Sequence, residues 1–196
     1  MTGTRLLILF YTTYGTNHEM AACAEEAARE VGAEVRLRRV RETAPQEVID
    51  GQDALKEQIA RMKDIPEAAP EDMEWASAYL ISAPTRFSSM PSQMQVFFDT
   101  LGPLWQNGVM ANKVAGGMTS TQSPHGGQET TLMHLYATFA HWGCIVAAPG
   151  YTDDVMFELG NPYGATAIAG EVNDTVKGAI RHQTRRMINI ADKLAG

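Results

Sequence analysis

The stretch RLLILFYTTYGTNHEM, residues 5–20, decides the fold. It begins with a continuous apolar block over residues 6–10, which is typical of a strand buried on both faces of a parallel sheet. Hydroxyl and amide side chains follow directly, and Gly15 allows a sharp turn of the backbone. An alanine-rich helical pattern comes next, so the free N–H groups at its start would face whatever the turn holds. The stretch therefore predicts a strand, an anion-binding turn and a helix.

A phosphate held by neutral donors fits this turn best. No lysine or arginine lies between Arg5 and Arg29, and the chain has neither the Gly-Lys-Ser/Thr end of a P-loop nor a G-x-G-x-x-G motif. The flavodoxin type of turn remains, in which FMN binds where the strand order of a doubly wound sheet reverses. An alternative is that Thr16 is only a helix N-cap, with Glu19 completing a capping box.

Length and charge restrict the class of protein. A chain of 196 residues without repeats predicts one domain over residues 1–196. The net charge of −7 argues against a nucleic-acid partner, because the phosphate backbone attracts clustered cations. Four basic residues do gather near the C-terminus, and we interpret them as a solvated helix face. They are Lys177, Arg181, Arg185 and Arg186.

Other features of the composition indicate a cytoplasmic protein. The N-terminus lacks the pattern of a signal peptide, and no apolar run reaches the ~20 residues of a membrane span. Cys23 and Cys144 lie in apolar patterns and are predicted to be small buried side chains in a reducing compartment. The histidines have no metal-ligand spacing, so no metal site is predicted.

Five apolar stretches predict the strands of an α/β fold. They are residues 6–10, 34–40, 79–83, 113–118 and 144–148. Helical patterns separate them, which predicts a flavodoxin-like doubly wound five-stranded parallel sheet, order 2-1-3-4-5, with helices on both faces. The second stretch alternates apolar and polar residues, as an edge strand does. Residues 41–75 and 149–170 are too long for simple connections, and the sequence assigns the first of them no role.

Polar loops follow the first, third and fourth predicted strands. Because loops after parallel strands converge on one edge of the sheet, these three loops predict a binding site. The loop after the third strand contains Pro84, Thr85, Arg86 and Phe87. The loop after the fourth contains Ser120, Thr121, Gln122, Ser123 and Gly126.

Four short motifs carry a resemblance to a known family. They are Tyr-x-x-Tyr-Gly at 11–15, Pro-Thr-Arg-Phe at 84–87, Gly-Gly-Gln-Glu at 126–129 and Pro-Tyr-Gly-Ala-Thr at 162–166. In this order and spacing, and over nearly the whole chain, they resemble the WrbA-type flavodoxin-like NAD(P)H:quinone oxidoreductases. The resemblance implies bound FMN, NADH or NADPH as hydride donor, a quinone acceptor, and a homotetramer built as a dimer of dimers.

The resemblance also implies roles for individual residues. The residues implied to hold the FMN phosphate are Thr12, Thr13, Tyr14, Gly15, Thr16 and Asn17. Those implied to surround the ring and ribityl chain are Pro84, Thr85, Arg86, Phe87, Ser120, Thr121, Gln122, Ser123 and Gly126. Tyr14 matches a position that contacts the nicotinamide nucleotide, and Trp105 matches one that walls the quinone pocket. His141 matches a histidine that reaches the flavin of a neighbouring subunit.

Two alternatives stay open at this point. Histidine is the side chain suited to proton transfer near neutral pH, which makes His141 the candidate catalytic residue. It is also consistent with a packing histidine at a helix end. The whole chain is also consistent with a flavodoxin-like carrier that passes single electrons to protein partners. An enzyme needs a closed small-molecule pocket above the flavin, whereas a carrier leaves the flavin edge exposed.

Overall fold

The structure is a computed structural model that describes residues 3–195. Its elements in chain order are β1 Arg5–Phe10, α1 Thr16–Glu30, β2 Glu34–Arg39, α2 Gln46–Asp50, α3 Asp53–Arg61, α4 Pro70–Trp75, β3 Ala78–Pro84, α5 Ser92–Asp99, α6 Gly102–Gln106, β4 Val114–Thr121, α7 Gln128–His141, β5 Ile145–Val146, α8 Asp154–Leu159, β6 Thr166–Ile168 and α9 Asp174–Ala195. Strands and helices alternate for most of this length, as the sequence predicts for an α/β fold.

The strands form one parallel sheet in the order β2-β1-β3-β4-β5, with β6 paired to β4. The predicted order is therefore confirmed, and β2 lies at an edge. The prediction of five strands needs a correction, because two short strands stand in place of the fifth. β5 pairs with Val114 and Ala115 at the start of β4, and β6 pairs with residues 119–121 at its end. The chain between β5 and β6 leaves the sheet and returns to the same edge of β4.

Alternate residues of β1 pack against opposite layers of helices. Leu6, Ile8 and Phe10 belong to the apolar cluster that includes residues of α1 and α9. Leu7 and Leu9 belong to the cluster that includes residues of α5 and α7. All five side chains are fully buried, which explains why this strand is a continuous apolar run.

Two predicted boundaries differ from the structure. β4 extends to Thr121, three residues beyond the prediction, because its end pairs with both β3 and β6. The last apolar stretch forms only the two residues of β5, both exposed. Trp105 lies in the short helix α6.

The basic residues of α9 are paired with acidic residues of α1. Arg181 forms ion pairs with Glu26 and Glu30, and Arg185 lies 2.8 Å from the second of these carboxylates. Exposed pairs of this kind add little to stability. The positive charges on the predicted solvated face of α9 are thus partly neutralised by the glutamates of α1.

Helices of the length and apolarity that a bilayer requires do not occur within residues 3–195.

Candidate functional site

A cleft opens at the carboxyl edge of the sheet, where the loops after β1, β3 and β4 meet. Its volume is about 200 Å³. The residues that line it are Thr12, Thr13, Tyr14, Thr16, Asn17, Pro84, Thr85, Arg86, Ser120, Thr121, Gln122, Ser123, Gly126 and Ala169. All but the last were predicted as site residues from the sequence. The parallel topology brings them together from three separate parts of the chain.

Gly15 forms the tight turn between β1 and α1. Its φ of 108° lies in the left-handed region, and it occupies the N-cap position of α1 without a side-chain cap. The alternative of a capping box on Thr16 is therefore wrong. The hydroxyl oxygen of Thr16 accepts a hydrogen bond of 2.9 Å from the Gly170 N–H instead. The first N–H groups of α1 have no intrahelical partners, and Thr16 and Asn17, which carry two of them, line the cleft.

Three threonine hydroxyls at the turn are oriented by N–H donors. Thr12 accepts from the Gly15 N–H at 3.0 Å. Thr13 accepts from the Arg86 guanidinium at 2.7 Å, and Thr16 accepts from Gly170 as described. A hydroxyl that accepts one such bond still has its own proton to donate. The turn therefore offers neutral O–H donors and helix N–H groups, which together suit an anion.

Asn17 lies underneath the cleft and joins three elements. Its side chain is fully buried, with Nδ2 donating to the Ser82 hydroxyl at 3.1 Å and Oδ1 accepting from the Ser120 hydroxyl at 2.6 Å. The amide thus ties α1 to β3 and β4. Because its side chain is engaged in this way, its backbone N–H is the group that remains for a ligand.

The side chain of Arg86 spans the mouth of the cleft. It donates to the Thr13 hydroxyl and, at 2.9 Å, to the carbonyl of Thr85. The next residue, Phe87, has a left-handed φ of 51° and a fully exposed ring. Phe87 was predicted to line the flavin ring, and in this chain its side chain points into solvent beside the cleft. Gly15 likewise shapes the turn without lining the cleft.

The loop after β4 is held by its own hydrogen bonds. The Thr121 hydroxyl donates to the Ser123 carbonyl at 2.8 Å and accepts from the Gln128 amide at 2.9 Å. A Cβ at Gly126 would lie 2.8 Å from Cβ of Thr121, so the loop folds back closely on itself. This packing leaves Gln122 with an exposed side chain at the rim.

A buried phenol and a carboxylate support the turn from below. The Tyr11 hydroxyl donates to Glu42 at 2.8 Å, and the same carboxylate accepts from the Gln93 amide at 2.8 Å. Burial would raise the pKa of Glu42, but its hydrogen bonds from the Ala44 N–H, Gln93 and Tyr11 hold that pKa below its usual value. Burial raises the pKa of Tyr11, which therefore keeps its proton to donate.

His141 and Trp105 lie together, but far from the cleft. α7 begins beside the cleft and runs antiparallel to the strands for 14 residues, about 20 Å at 1.5 Å per residue, so that His141 is at the opposite edge of the sheet. There its carbonyl accepts a 2.9 Å hydrogen bond from the indole of Trp105. Both side chains are exposed, and Trp105 keeps 54% of its surface. A single chain does not bring either of them to its own cleft.

Several residues that shape the site were not predicted from the sequence. Ala169 lines the cleft from the turn after β6, and it carries no polar signal. Glu42 and Gln58 contact the turn from the segment 41–75, to which the sequence assigned no role.

A larger groove of about 550 Å³ runs along α9. Among its cations, Arg181 and Arg185 are already paired with glutamates. Residues 3–195 contain no cluster of three His, Cys, Asp or Glu side chains that would hold a metal ion.

The fold and the cleft define a class of protein: a flavodoxin-like α/β protein with a threonine-rich turn after its first strand. Solved structures agree on the fold. A WrbA-like flavodoxin from Agrobacterium tumefaciens has a TM-score of 0.71 at 19% identity, covering 97% of this chain and 99% of that one. A flavodoxin from the domain Archaea has a TM-score of 0.61 at 14% identity, covering 98% and 99%.

Sequence comparisons give the family. The model of the NADPH-dependent FMN reductases matches residues 8–153. A protein of Deinococcus radiodurans named NAD(P)H dehydrogenase (quinone) is 54% identical over 98% of both chains. A protein of the same name from Caulobacter vibrioides is 39% identical over 98% of this chain and 99% of its own. The chain therefore belongs to the NADPH-dependent FMN reductase family, among relatives named NAD(P)H dehydrogenase (quinone).

Proposed function

We propose that this protein is an FMN-dependent NAD(P)H:quinone oxidoreductase whose flavin binds in the cleft at the carboxyl edge of the sheet. The observation that carries the proposal is the phosphate turn, where the hydroxyls of Thr12 and Thr16 accept from backbone N–H groups and keep their own protons to donate, and where no cation lies between Arg5 and Arg29. The names of relatives at 54% and 39% identity support the same activity.

The residues at the turn fit a terminal phosphomonoester. Backbone N–H groups at the start of α1, together with the hydroxyls of Thr12 and Thr16, would hold its oxygens. The positive φ of Gly15 keeps the backbone close to the ligand without a Cβ. The loops that contain Thr85 and Ser120 would hold the ring and the ribityl chain, because they form the other walls of the same cleft.

FMN bound in the cleft would supply the redox chemistry, which is hydride transfer from NADH or NADPH followed by two-electron reduction of a quinone. The protein orients the reactants and provides protons. Arg86 places a cation at the mouth of the cleft, where it would attract the phosphates of the nicotinamide nucleotide. Tyr14, with its ring 64% exposed beside the turn, is our candidate contact for that nucleotide.

We assign proton donation to His141 and the wall of the quinone pocket to Trp105, both supplied by a neighbouring subunit. Their position at the opposite edge of the sheet supports this division, because neither can reach the cleft of its own chain. The assembly proposed is a homotetramer arranged as a dimer of dimers. Sedimentation at micromolar concentration tests it. A monomer with full quinone reductase activity would overturn the shared site.

The remaining proposals concern the domain organisation, the cellular location and the partners of the protein. We propose a single domain over residues 1–196 that acts in the cytoplasm without nucleic-acid partners. Free cysteines at 23 and 144 and the net charge of −7 support this setting.

Two measurements test the proposal. FMN should bind much more tightly than riboflavin, measured by quenching of flavin fluorescence, because only FMN brings the phosphate to the turn. Equal affinities would overturn the phosphate assignment.

Steady-state kinetics with NAD(P)H and benzoquinone should be ping-pong, because the hydride donor and the quinone occupy the same pocket in turn. An electron carrier would not reduce benzoquinone with NAD(P)H unless a partner reductase were added.

A further inference from the structure

The segment that follows β2 lies along the outer side of the phosphate turn and contacts it at three places. The carboxylate of Glu42 accepts from Tyr11, as described above. The amide oxygen of Gln52 accepts from the Tyr14 hydroxyl at 2.8 Å. The amide nitrogen of Gln58 lies 3.1 Å from Nδ1 of His18. The contacts fall along residues 11–18, so this segment supports the whole length of the turn.

Gln58 contacts the turn at two residues, Gly15 and His18. Its side chain is on α3 and is only 3% exposed. A Cβ at Gly15 would lie 2.9 Å from Oε1 of Gln58, so the amide rests directly against the backbone of the turn. Gln58 does not line the cleft. It therefore touches the turn from behind, on the side away from a ligand.

The partner of Gln58 is itself held in place. The imidazole of His18 stacks on the ring of Phe10 at the end of β1, with centroids 5.3 Å apart and planes 7° from parallel. Burial, and then the charge of Arg61, lower the pKa of His18. The ring is thus neutral at pH 7, and its Nδ1 accepts the hydrogen from Gln58. The amide of Gln58 connects α3 to a fixed ring at the start of α1.

We propose that Gln58 is a positioning residue that holds the phosphate turn in its binding conformation and thereby sets the preference for FMN over riboflavin. The inference rests on the proposed role of the turn. Gln58 contacts Gly15 and His18, at the phosphate end of the cleft, and is not among the residues that line the cleft. Its effect should therefore be confined to the phosphate end of the ligand. The sequence assigned no role to segment 41–75, and this inference gives the segment the role of supporting the phosphate turn.

The first experiment replaces Gln58 with methionine, which has similar length and shape but no amide. We measure the dissociation constants of FMN and of riboflavin for the apoprotein by fluorescence quenching. The ratio of the two constants should move toward one by roughly three- to tenfold, the effect of one lost hydrogen bond, while riboflavin binding stays the same. The matched control is Gln46→Met on α2, whose side chain is exposed and bonds only Asp50 among residues 3–195. It should leave both constants unchanged.

A double-mutant cycle tests the contact itself. His18→Phe keeps an aromatic ring against Phe10 but removes Nδ1. If Gln58 acts through His18, the double variant Gln58→Met with His18→Phe should lose no more preference for FMN than either single variant does. Additive losses would overturn the assigned contact.

The outcomes separate this inference from the proposed function. If the wild-type protein binds FMN and riboflavin equally, the phosphate turn itself is refuted. If the wild type prefers FMN and Gln58→Met keeps the full preference, or loses affinity for both ligands equally, the positioning role is refuted. Should Gln58→Met not fold, Gln58→Leu takes its place. Leucine cannot form a hydrogen bond with Nδ1 of His18, so the same loss of preference is expected, and an unchanged ratio would again overturn the inference.

Discussion

Gly15 turns the backbone between β1 and α1 with a φ of 108°, and Gln58 lies against it. Gly15→Val should weaken FMN binding at least tenfold, because a β-branched residue in this region adds about 1–2 kcal/mol of strain and meets the buried amide. Fluorescence quenching measures the change. Gly3→Val is the control, since no atom lies within 4 Å of a Cβ placed there. Unchanged FMN affinity in the Gly15 variant would show that the turn does not hold the ligand.

Glu42 connects Tyr11 to α5, and its hydrogen bonds hold its pKa below the ordinary value. A carboxyl whose pKa is depressed on folding stabilises the protein above its unfolded pKa, about 4.3, and loses that contribution as the pH falls through its folded pKa. Glu42→Gln should therefore be less stable than the wild type at pH 7, with a difference that shrinks below about pH 4.

Thermal unfolding of the apoprotein from pH 7 to pH 3 measures that difference. The exposed Glu47→Gln on α2 is the control, and its difference from the wild type should stay small throughout. A gap that stays constant over the whole pH range for Glu42→Gln would contradict the assignment of its charge to the support of the turn.

At single positions, the sequence predicted the residues that line the cleft better than those that support the turn from behind. Thr12 and Thr85 follow apolar strands and Ser120 lies near the end of β4, so their location at one edge follows from the parallel topology. Glu42 and Gln58 lie in a charged segment without a strong period, and their contacts with the turn depend on how that segment docks. Nothing local in the sequence encodes such docking.

The split last strand depends on Gln183 of α9. This fully buried amide donates to the Gly117 carbonyl at 2.9 Å and accepts from the Ala165 N–H at 2.7 Å, so it joins β4 to the chain entering β6. Gln183→Leu should lower the free energy of unfolding by about 1–3 kcal/mol, because it leaves buried backbone groups without these partners. Urea unfolding measures the loss. Gln95→Leu, on the exposed face of α5, should change stability by no more than about 0.5 kcal/mol.

Elements were predictable where the pattern was long and periodic. The buried face of α7, which includes Leu132, Leu135 and Phe139, appears in the sequence at helical spacing and is buried in the structure. The last strand was not predictable, because the chain between β5 and β6 leaves the sheet and divides the strand into pieces of two and three residues. Two or three residues are too few to show a strand-like alternation of apolar and polar side chains. Their extended conformation depends on their pairing with β4.

Across the whole molecule, the separation of His141 from the cleft makes a prediction about assembly. Gly15→Val removes the phosphate turn and His141→Gln removes the proposed proton donor, which should cost roughly 100-fold or more in turnover. When the two variants are co-expressed with different tags and purified as mixed oligomers, one site in each exchanging pair combines an intact turn with an intact histidine. Activity should therefore recover well above that of either variant alone. Mixed oligomers with no more activity than the average of the two parents would contradict the shared site.

The central claim is that the protein itself carries electrons from a nicotinamide nucleotide to a quinone. The direct measurement is anaerobic: the FMN-loaded protein is mixed with NADH or NADPH, the flavin absorbance is followed, and benzoquinone is then added. We predict that at least one nucleotide bleaches the flavin without any partner protein and that benzoquinone restores the absorbance rapidly. A flavin that binds but stays oxidised with both nucleotides would contradict the claim and favour an electron carrier.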